Sequence, residues 1–247
     1  MPRAEEEVWK MKKRLKWLVP MGALAALAVA FLIYTGVYYH ADETALAALA
    51  SDGSVTVEKT GYGWRFDGPS DSDALIFYPG AKVEETAYAP LLRRIAEGGM
   101  DVCLVKMPFR LAFFGLNSAD AVMNQYDYGR WSIAGHSLGG AMAADYAARH
   151  PEVLTGVALL AAYPTRELDD GLTLISIYGT EDGVLNMDKM AAGDRFAPDD
   201  YVKEAIEGGN HAQFGSYGAQ AGDGAASITA EEQQRQTAGI ITLNLLK

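Results

Sequence analysis

The chain has 247 residues and a formal net charge of −11, from 21 Lys+Arg against 32 Asp+Glu, with a single cysteine. Residues 1–40 are net +3, which leaves −14 on the other two hundred or so, enough for one domain with a full-sized core. Such an acidic body argues against nucleic acid and against adhesion to anionic lipid, and the lone Cys103 excludes an internal disulfide.

Residues 1–16 form a basic tail carrying Lys10, Lys12, Lys13, Arg14 and Lys16. An uncharged run of 23 residues follows from Trp17 to Tyr39, long enough to span a bilayer with some tilt. Trp17 at one end and Tyr34, Tyr38 and Tyr39 at the other suit the two interfaces, and Asp42 and Glu43 come next. The expectation is a transmembrane anchor at 17–39 with the tail in the cytoplasm and the rest of the chain outside; a cleaved signal peptide, giving a secreted product, is the rival. Residues 40–53 are expected to form a stalk, with 41–51 partly helical, and 54–247 a single folded domain.

Within that domain, Ser54–Lys59 and Trp64–Phe66 read as a hairpin-like pair around Gly61-Tyr62-Gly63. A strand at 74–78 ends in Pro79-Gly80-Ala81 and leads to a helix at 87–97, closed by Gly98-Gly99. A strand at 101–106 carries Cys103 as a buried thiol and passes Pro108 to a helix near 117–124. Trp131-Ser132-Ile133-Ala134 is a short buried strand running into Gly135-His136-Ser137-Leu138-Gly139, and a small-residue helix follows to His150. Further strands are expected at 153–160, 172–179 and 201–206, and Thr229-Ala230-Glu231-Glu232 caps a closing helix to about Leu246. Strands alternating with helices imply a mainly parallel sheet covered on both faces.

The stretch 135–139 reads as G-x-S-x-G between strand and helix, the context of a nucleophile elbow. A serine on so sharp a turn needs neighbours without bulk, and the new helix aims free amides at incoming negative charge. Ser137 is therefore the candidate nucleophile. Asp182, just past the strand ending at Gly179, sits on the ligand-binding edge of a parallel sheet, and Gly208-Gly209-Asn210-His211 follows the last strand. The order Ser137, Asp182, His211, with gaps of 45 and 29 residues, fits a triad: His211 as base, Asp182 as the group orienting it. Glu181, Asp169 and Asp170 are the rival acids; His40, His136 and His150 sit beside the apolar run, inside the elbow and at a helix end. For the oxyanion hole, Leu138 N–H is one donor and Ala81 N–H the second, with Gly80 as runner-up.

The blocks Phe77-Tyr78-Pro79-Gly80-Ala81, Gly135 to Gly140, Tyr178 to Gly183 and Gly208 to Gly215 together resemble bacterial α/β-hydrolases. The resemblance is to the alpha/beta hydrolase family 5 type, related to dienelactone hydrolases, and covers about residues 55–247. It implies an α/β-hydrolase fold and the same triad. Dienelactone hydrolases use cysteine as nucleophile where this chain has Ser137, so lactone specificity is not implied.

Only 11 residues separate Leu160 from Leu172, where larger hydrolases insert a lid, so little or no lid is expected. Phe109, Phe113 and Phe114 in the loop 106–116 are read as a substrate wall, and the glycine-rich loop 212–224 as mobile. An open site favours esters of short acyl chains. The function read from the sequence is a membrane-anchored serine hydrolase of carboxylic esters, with acyl transfer by the same triad or a catalytically silent binding protein as alternatives. No metal-ligand cluster stands out, and no metal or cofactor is expected; the expected partners are a small-molecule ester and, through the N-terminal helix, a membrane.

Overall fold

The segment Asp73–Tyr78 is buried at all six positions, as a strand covered by helices on both faces must be, and it lies at the centre of an eight-stranded sheet. A computed structural model describes residues 2–69 and 71–246; the side chains of residues 2–5, 10 and 12–15, and so the basic groups of Lys10, Lys12, Lys13 and Arg14, lie outside the described part. The strands are β1 (Thr56–Lys59), β2 (Gly63–Asp67), β3 (Asp73–Tyr78), β4 (Asp101–Val105), β5 (Arg130–His136), β6 (Gly156–Leu160), β7 (Thr173–Gly179) and β8 (Tyr201–Ile206). Their order is 1-2-4-3-5-6-7-8, with β1 and β2 antiparallel and β3 to β8 parallel. The chain leaves β3 towards β4 and returns to its other side as β5, so the sheet's switch point lies between β3 and β5.

Alternation along each strand builds two cores. Leu75, Phe77, Val102, Leu104, Ala134 and Ile175 face one side, against Leu91 and Ile95 of α3 (Ala89–Glu97) and Ile241 of α7 (Ala230–Leu245). Ile76, Tyr78, Cys103, Ile133, Val157 and Leu174 face the other, against Val122 of α4 (Ser118–Met123) and Ala143 and Tyr146 of α5 (Leu138–Arg149). Pro90 sits at the start of α3, where a missing N–H costs nothing, and Thr229 caps α7 by accepting from Glu232 N–H at 3.1 Å. Cys103 is fully buried, as expected of a strand thiol.

The chain divides into two compact units between Tyr38 and Tyr39. In the first, α1 runs Pro2–Gly36, so the basic tail is helical along with the apolar run; its stretch Lys16–Gly36 spans 21 residues at a mean hydropathy of 2.1. The expected span reached Tyr39, but Tyr39 belongs to the second unit. Its N–H donates to Lys82 O, its carbonyl accepts from Glu84 N–H, both at 2.8 Å, and its ring packs on Tyr217. Residues 40–53 also depart from the stalk expected of them. The short helix α2 (Glu43–Ala47) is capped by Asp42 and buries Ala45 completely, while Asp42 N–H bonds to Ser216 O at 2.9 Å. Small apolar side chains at 45 and 48 let this segment pack as part of the domain. A further helix that sequence patterning missed, α6 (Met187–Gly193), is capped by the Asn186 side chain.

Candidate active site

Ser137 stands between the end of β5 and the start of α5 with φ 53° and ψ −121°, a backbone conformation that non-glycine residues rarely adopt. Tight packing holds it there. Its N–H donates to Leu160 O at 2.9 Å, and Ala141 N–H returns to Ser137 O at 3.0 Å. The flanking glycines are required by space: a Cβ on Gly135 would lie 2.5 Å from Gly139 backbone, and one on Gly139 would lie 2.1 Å from Tyr78 O. The last contact presses the elbow against the end of β3, which brings the loop 79–82 beside Ser137. Four other non-glycine residues have positive φ among those described: Lys82 after β3, Phe109 and Arg110 after β4, and Ala161 after β6. All lie, like Ser137, just past the C-terminal ends of successive central strands, where strain gathers at working sites.

Asp182 and His211 come from different strands and meet. His211 Nδ1 lies 2.9 Å from Asp182 Oδ2, with both side chains almost wholly buried. The other carboxylate oxygen of Asp182 accepts from Val184 N–H at 2.8 Å and Leu185 N–H at 2.7 Å, which fixes its plane. With Nδ1–H donating to Asp182 Oδ2, Nε2 carries the free lone pair, and it is buried with no partner among the described residues. Ser137, Leu138 and His211 line one cleft of about 430 Å³, together with Ala161, Ala162, Tyr163, Val184, Leu185 and Lys189. The rival acids are engaged elsewhere: Asp169 accepts from Gly171 N–H, Asp170 from Asp199 N–H, and exposed Glu181 from Thr180 Oγ1. The rival histidines are likewise remote, His40 beside Glu84 and His150 against Tyr146.

The glycine-rich block before His211 has a packing reason. A Cβ on Gly179 would lie 2.2 Å from Gly209 O, and one on Gly209 would lie 2.7 Å from Gln233 Oε1. Fully buried Gln233 of α7 then clamps Asn210 from both sides, accepting from its N–H at 2.9 Å and donating to its carbonyl at 2.7 Å.

Of the two oxyanion candidates after β3, Gly80 has its N–H engaged, donating to Tyr88 Oη at 3.1 Å. Ala81 N–H makes no hydrogen bond among the described residues, and Leu138 N–H, first in α5, has no partner within the helix. The Tyr88 hydroxyl in turn shares a hydrogen bond of 2.8 Å with His136 Nδ1. His136, read from sequence only as the variable elbow position, is buried with its ring centroid 4.5 Å from that of His211. Burial first, and then the charge of His211, hold its pKa well below 6.5, so it stays neutral and braces the elbow. No sequence signal separated it from a filler.

The aromatic wall is not where the sequence reading put it. Phe109, Phe113 and Phe114 are about half exposed, pack on one another at 5.5 and 4.5 Å, and do not line the cleft. Its walls come instead from the turns after β6 and β7, because the cleft opens over the elbow rather than over the β4 loop. The loop 212–224 is also better tied than a mobile reading implies: Tyr217 Oη bonds Gln220, Ala221 N–H bonds Tyr39 Oη, and a Cβ on Gly224 would lie 2.0 Å from Glu181 O.

A strained serine elbow at the switch point of a parallel sheet, facing a buried His–Asp pair, defines the class of α/β-hydrolases. The sequence profile of the alpha/beta hydrolase family matches residues 74–235, well over half of the chain and every residue named in the cleft. The chain belongs to the alpha/beta hydrolase family. A protein of Mycobacterium phage D29, provisionally named a non-heme haloperoxidase, is 31% identical over 108 residues, 40% of this chain. The chain spans only 39% of the length of that relative. Among solved structures, a CIB-like hydrolase from Thermoplasma acidophilum superposes with a TM-score of 0.56 at 13% identity, over 77% of this chain and 99% of its own. Carboxylesterase CesB from Bacillus subtilis does so at 0.50 and 10% identity, over 69% and 89%. At such identities the likeness concerns the fold.

Proposed function

We propose that this protein is a serine hydrolase that cleaves small carboxylic esters through an acyl-enzyme, anchored in a membrane by its N-terminal helix. The observation that carries the catalytic part is the single cleft onto which strained Ser137 and the Asp182-oriented His211 both open. His211 Nε2 takes the Ser137 proton as Oγ attacks the ester carbonyl; Leu138 and Ala81 N–H groups stabilise the oxyanion. The protonated imidazole then gives its proton to the leaving alcohol. Water, activated by the same nitrogen, releases the acid and regenerates Ser137. CesB supports the choice of ester, as a carboxylesterase on this fold.

Small wall residues, Ala161 and Ala162, and the short segment between β6 and β7 leave an open cleft, which favours acyl chains of about two to six carbons, since few methylenes at about 0.8 kcal/mol each can be buried. The anchor reading rests on the Lys16–Gly36 stretch and on the basic residues that precede it; the positive-inside rule then puts the catalytic domain on the extracytoplasmic side. Two assays test the whole. The full chain in detergent should hydrolyse soluble short-chain esters with smooth saturation, and Ser137→Ala should not; equal turnover by both overturns the catalytic reading. In cells, the protein should stay with the membranes after a carbonate wash and be digested by external protease. Recovery as a soluble cytoplasmic protein overturns the anchor, and a shortened secreted form replaces it by a signal peptide.

A further inference from the structure

Asp182 and His211 stand at the ends of two adjacent strands, and the turns that carry them are joined by a third side chain. Asp223, half-buried in the glycine-rich segment, directs its carboxylate at both turns. Its Oδ1 accepts from Gly183 N–H at 3.1 Å, His211 N–H at 3.2 Å and Gly224 N–H at 2.9 Å. Its Oδ2 accepts from Ala212 N–H at 2.8 Å. One of these amides follows the acid directly, another is that of the base itself, and a third follows the base. The fit around the carboxylate is close on both sides: a Cβ on Gly183 would lie 2.6 Å from Gly222 O, and one on Gly224 would strike Glu181 O.

We propose that Asp223 is a positioning residue that locks the turn of the catalytic acid to the turn of the catalytic base. The inference rests on the triad reading, and it assigns to the 212–224 segment a role that loop composition did not reveal. A carboxylate suits the task because it has lone pairs for four donors and none to offer in competition, whereas an amide would turn one N–H against another. Asp223 does not line the cleft, so it acts on His211 through geometry and leaves substrate contacts alone.

The consequence is a split between kcat and KM. Asp223→Asn keeps size but sets its amide group against Ala212 N–H, and should lower kcat by about tenfold. Asp223→Ala frees four donors and should lower it by about 100-fold, the cost of a misplacement on the order of 1 Å. KM for a soluble ester should stay within about twofold in both, as uniform binding is untouched.

A second readout needs no turnover: the downfield proton NMR signal of His211 Nδ1–H, followed in the full chain in detergent micelles. That signal should be sharp in the parent, absent in Asp182→Asn, and broadened by exchange in Asp223→Asn and Asp223→Ala. Folded variants of Asp223 with unchanged kcat and an unchanged signal overturn the proposal; if the alanine variant fails to fold, the asparagine variant decides. The signal reports the Asp182–His211 pairing alone, so it still decides this proposal if active Ser137→Ala removes the nucleophile assignment.

Discussion

Replacing Asp182 with asparagine isolates the orienting role of the acid without changing its size. In the parent, Oδ1 of Asp182 accepts from two backbone N–H groups at 2.8 and 2.7 Å while Oδ2 faces His211 Nδ1 at 2.9 Å. An asparagine has one acceptor oxygen and one amide group to place. Turned with its NH2 towards Val184 and Leu185, it would set donor against donor and strand two N–H groups, at about 1–3 kcal/mol for each if desolvated. The oxygen therefore stays on the two amides, and the NH2 group faces His211. The imidazole must then accept at Nδ1 and carry its proton on Nε2, the nitrogen that should receive the Ser137 proton. Loss of the correct tautomer costs about 10⁴ in kcat, or about 5.4 kcal/mol at 1.36 kcal/mol per decade. The assay is steady-state hydrolysis of a soluble short-chain ester by the full chain in detergent, with a melting curve confirming the fold. Asp169→Asn, Asp170→Asn and Glu181→Gln should leave kcat unchanged. A folded Asp182→Asn variant with kcat within about tenfold of the parent would refute the tautomer argument.

Other expectations follow from packing, burial and the cleft. Gly139→Ala places a Cβ 2.1 Å from Tyr78 O and 2.4 Å from Pro79 O, so it should destabilise by about 1–3 kcal/mol and lower Tm by about 2–4 °C per kcal/mol; an unchanged Tm contradicts the crowding. His136 resists protonation in the fold, so below 6.5 the unfolded chain binds a proton that the native state refuses, and stability falls as pH falls. The Tm drop between about pH 7.5 and pH 5.5 should thus be smaller in His136→Asn than in the parent, and an equal drop removes His136 as a cause. Burial pushes the Cys103 thiol up to about 12, so a thiol reagent should modify it only as fast as the chain unfolds. Phe113→Ala should leave KM unchanged, whereas Leu185→Ala should raise it by removing a wall of the cleft; the reverse result would move the substrate to the aromatic loop.

Much of this site is legible in the sequence because its parts are local. A G-x-S-x-G between a β-type apolar run and a small-residue helix specifies its own turn, and the strand ending at Gly179 delivers Asp182 to the sheet edge whatever the rest of the chain does. Ala81 is preferred to Gly80 from the sequence already, but the physical reason needs the fold: Tyr88, eight residues on, is what occupies Gly80 N–H. Asp223 and Gln233 were illegible for the same reason: apart from Gly224, next to Asp223, their partners lie 11 to 40 residues away, and nothing in a glycine-rich loop or an amphipathic helix marks them. The aromatic wall misled because Phe-Arg-Leu-Ala-Phe-Phe has the composition of a binding surface, while single turns at 108–110 and 112–114 leave all three rings about half exposed. Residues 40–53 read as a stalk, yet one buried alanine and a few backbone hydrogen bonds suffice to dock them.

Covalent trapping tests the central claim most directly. The full chain, incubated with a fluorophosphonate and digested, should yield one modified peptide, with the phosphonyl group on Ser137. Labelling should approach one per chain, disappear in Ser137→Ala, and fall sharply in His211→Ala, where no base is left to take the serine proton. A folded protein that resists the reagent, or one that carries the label on another residue with Ser137 untouched, would contradict Ser137 as the nucleophile.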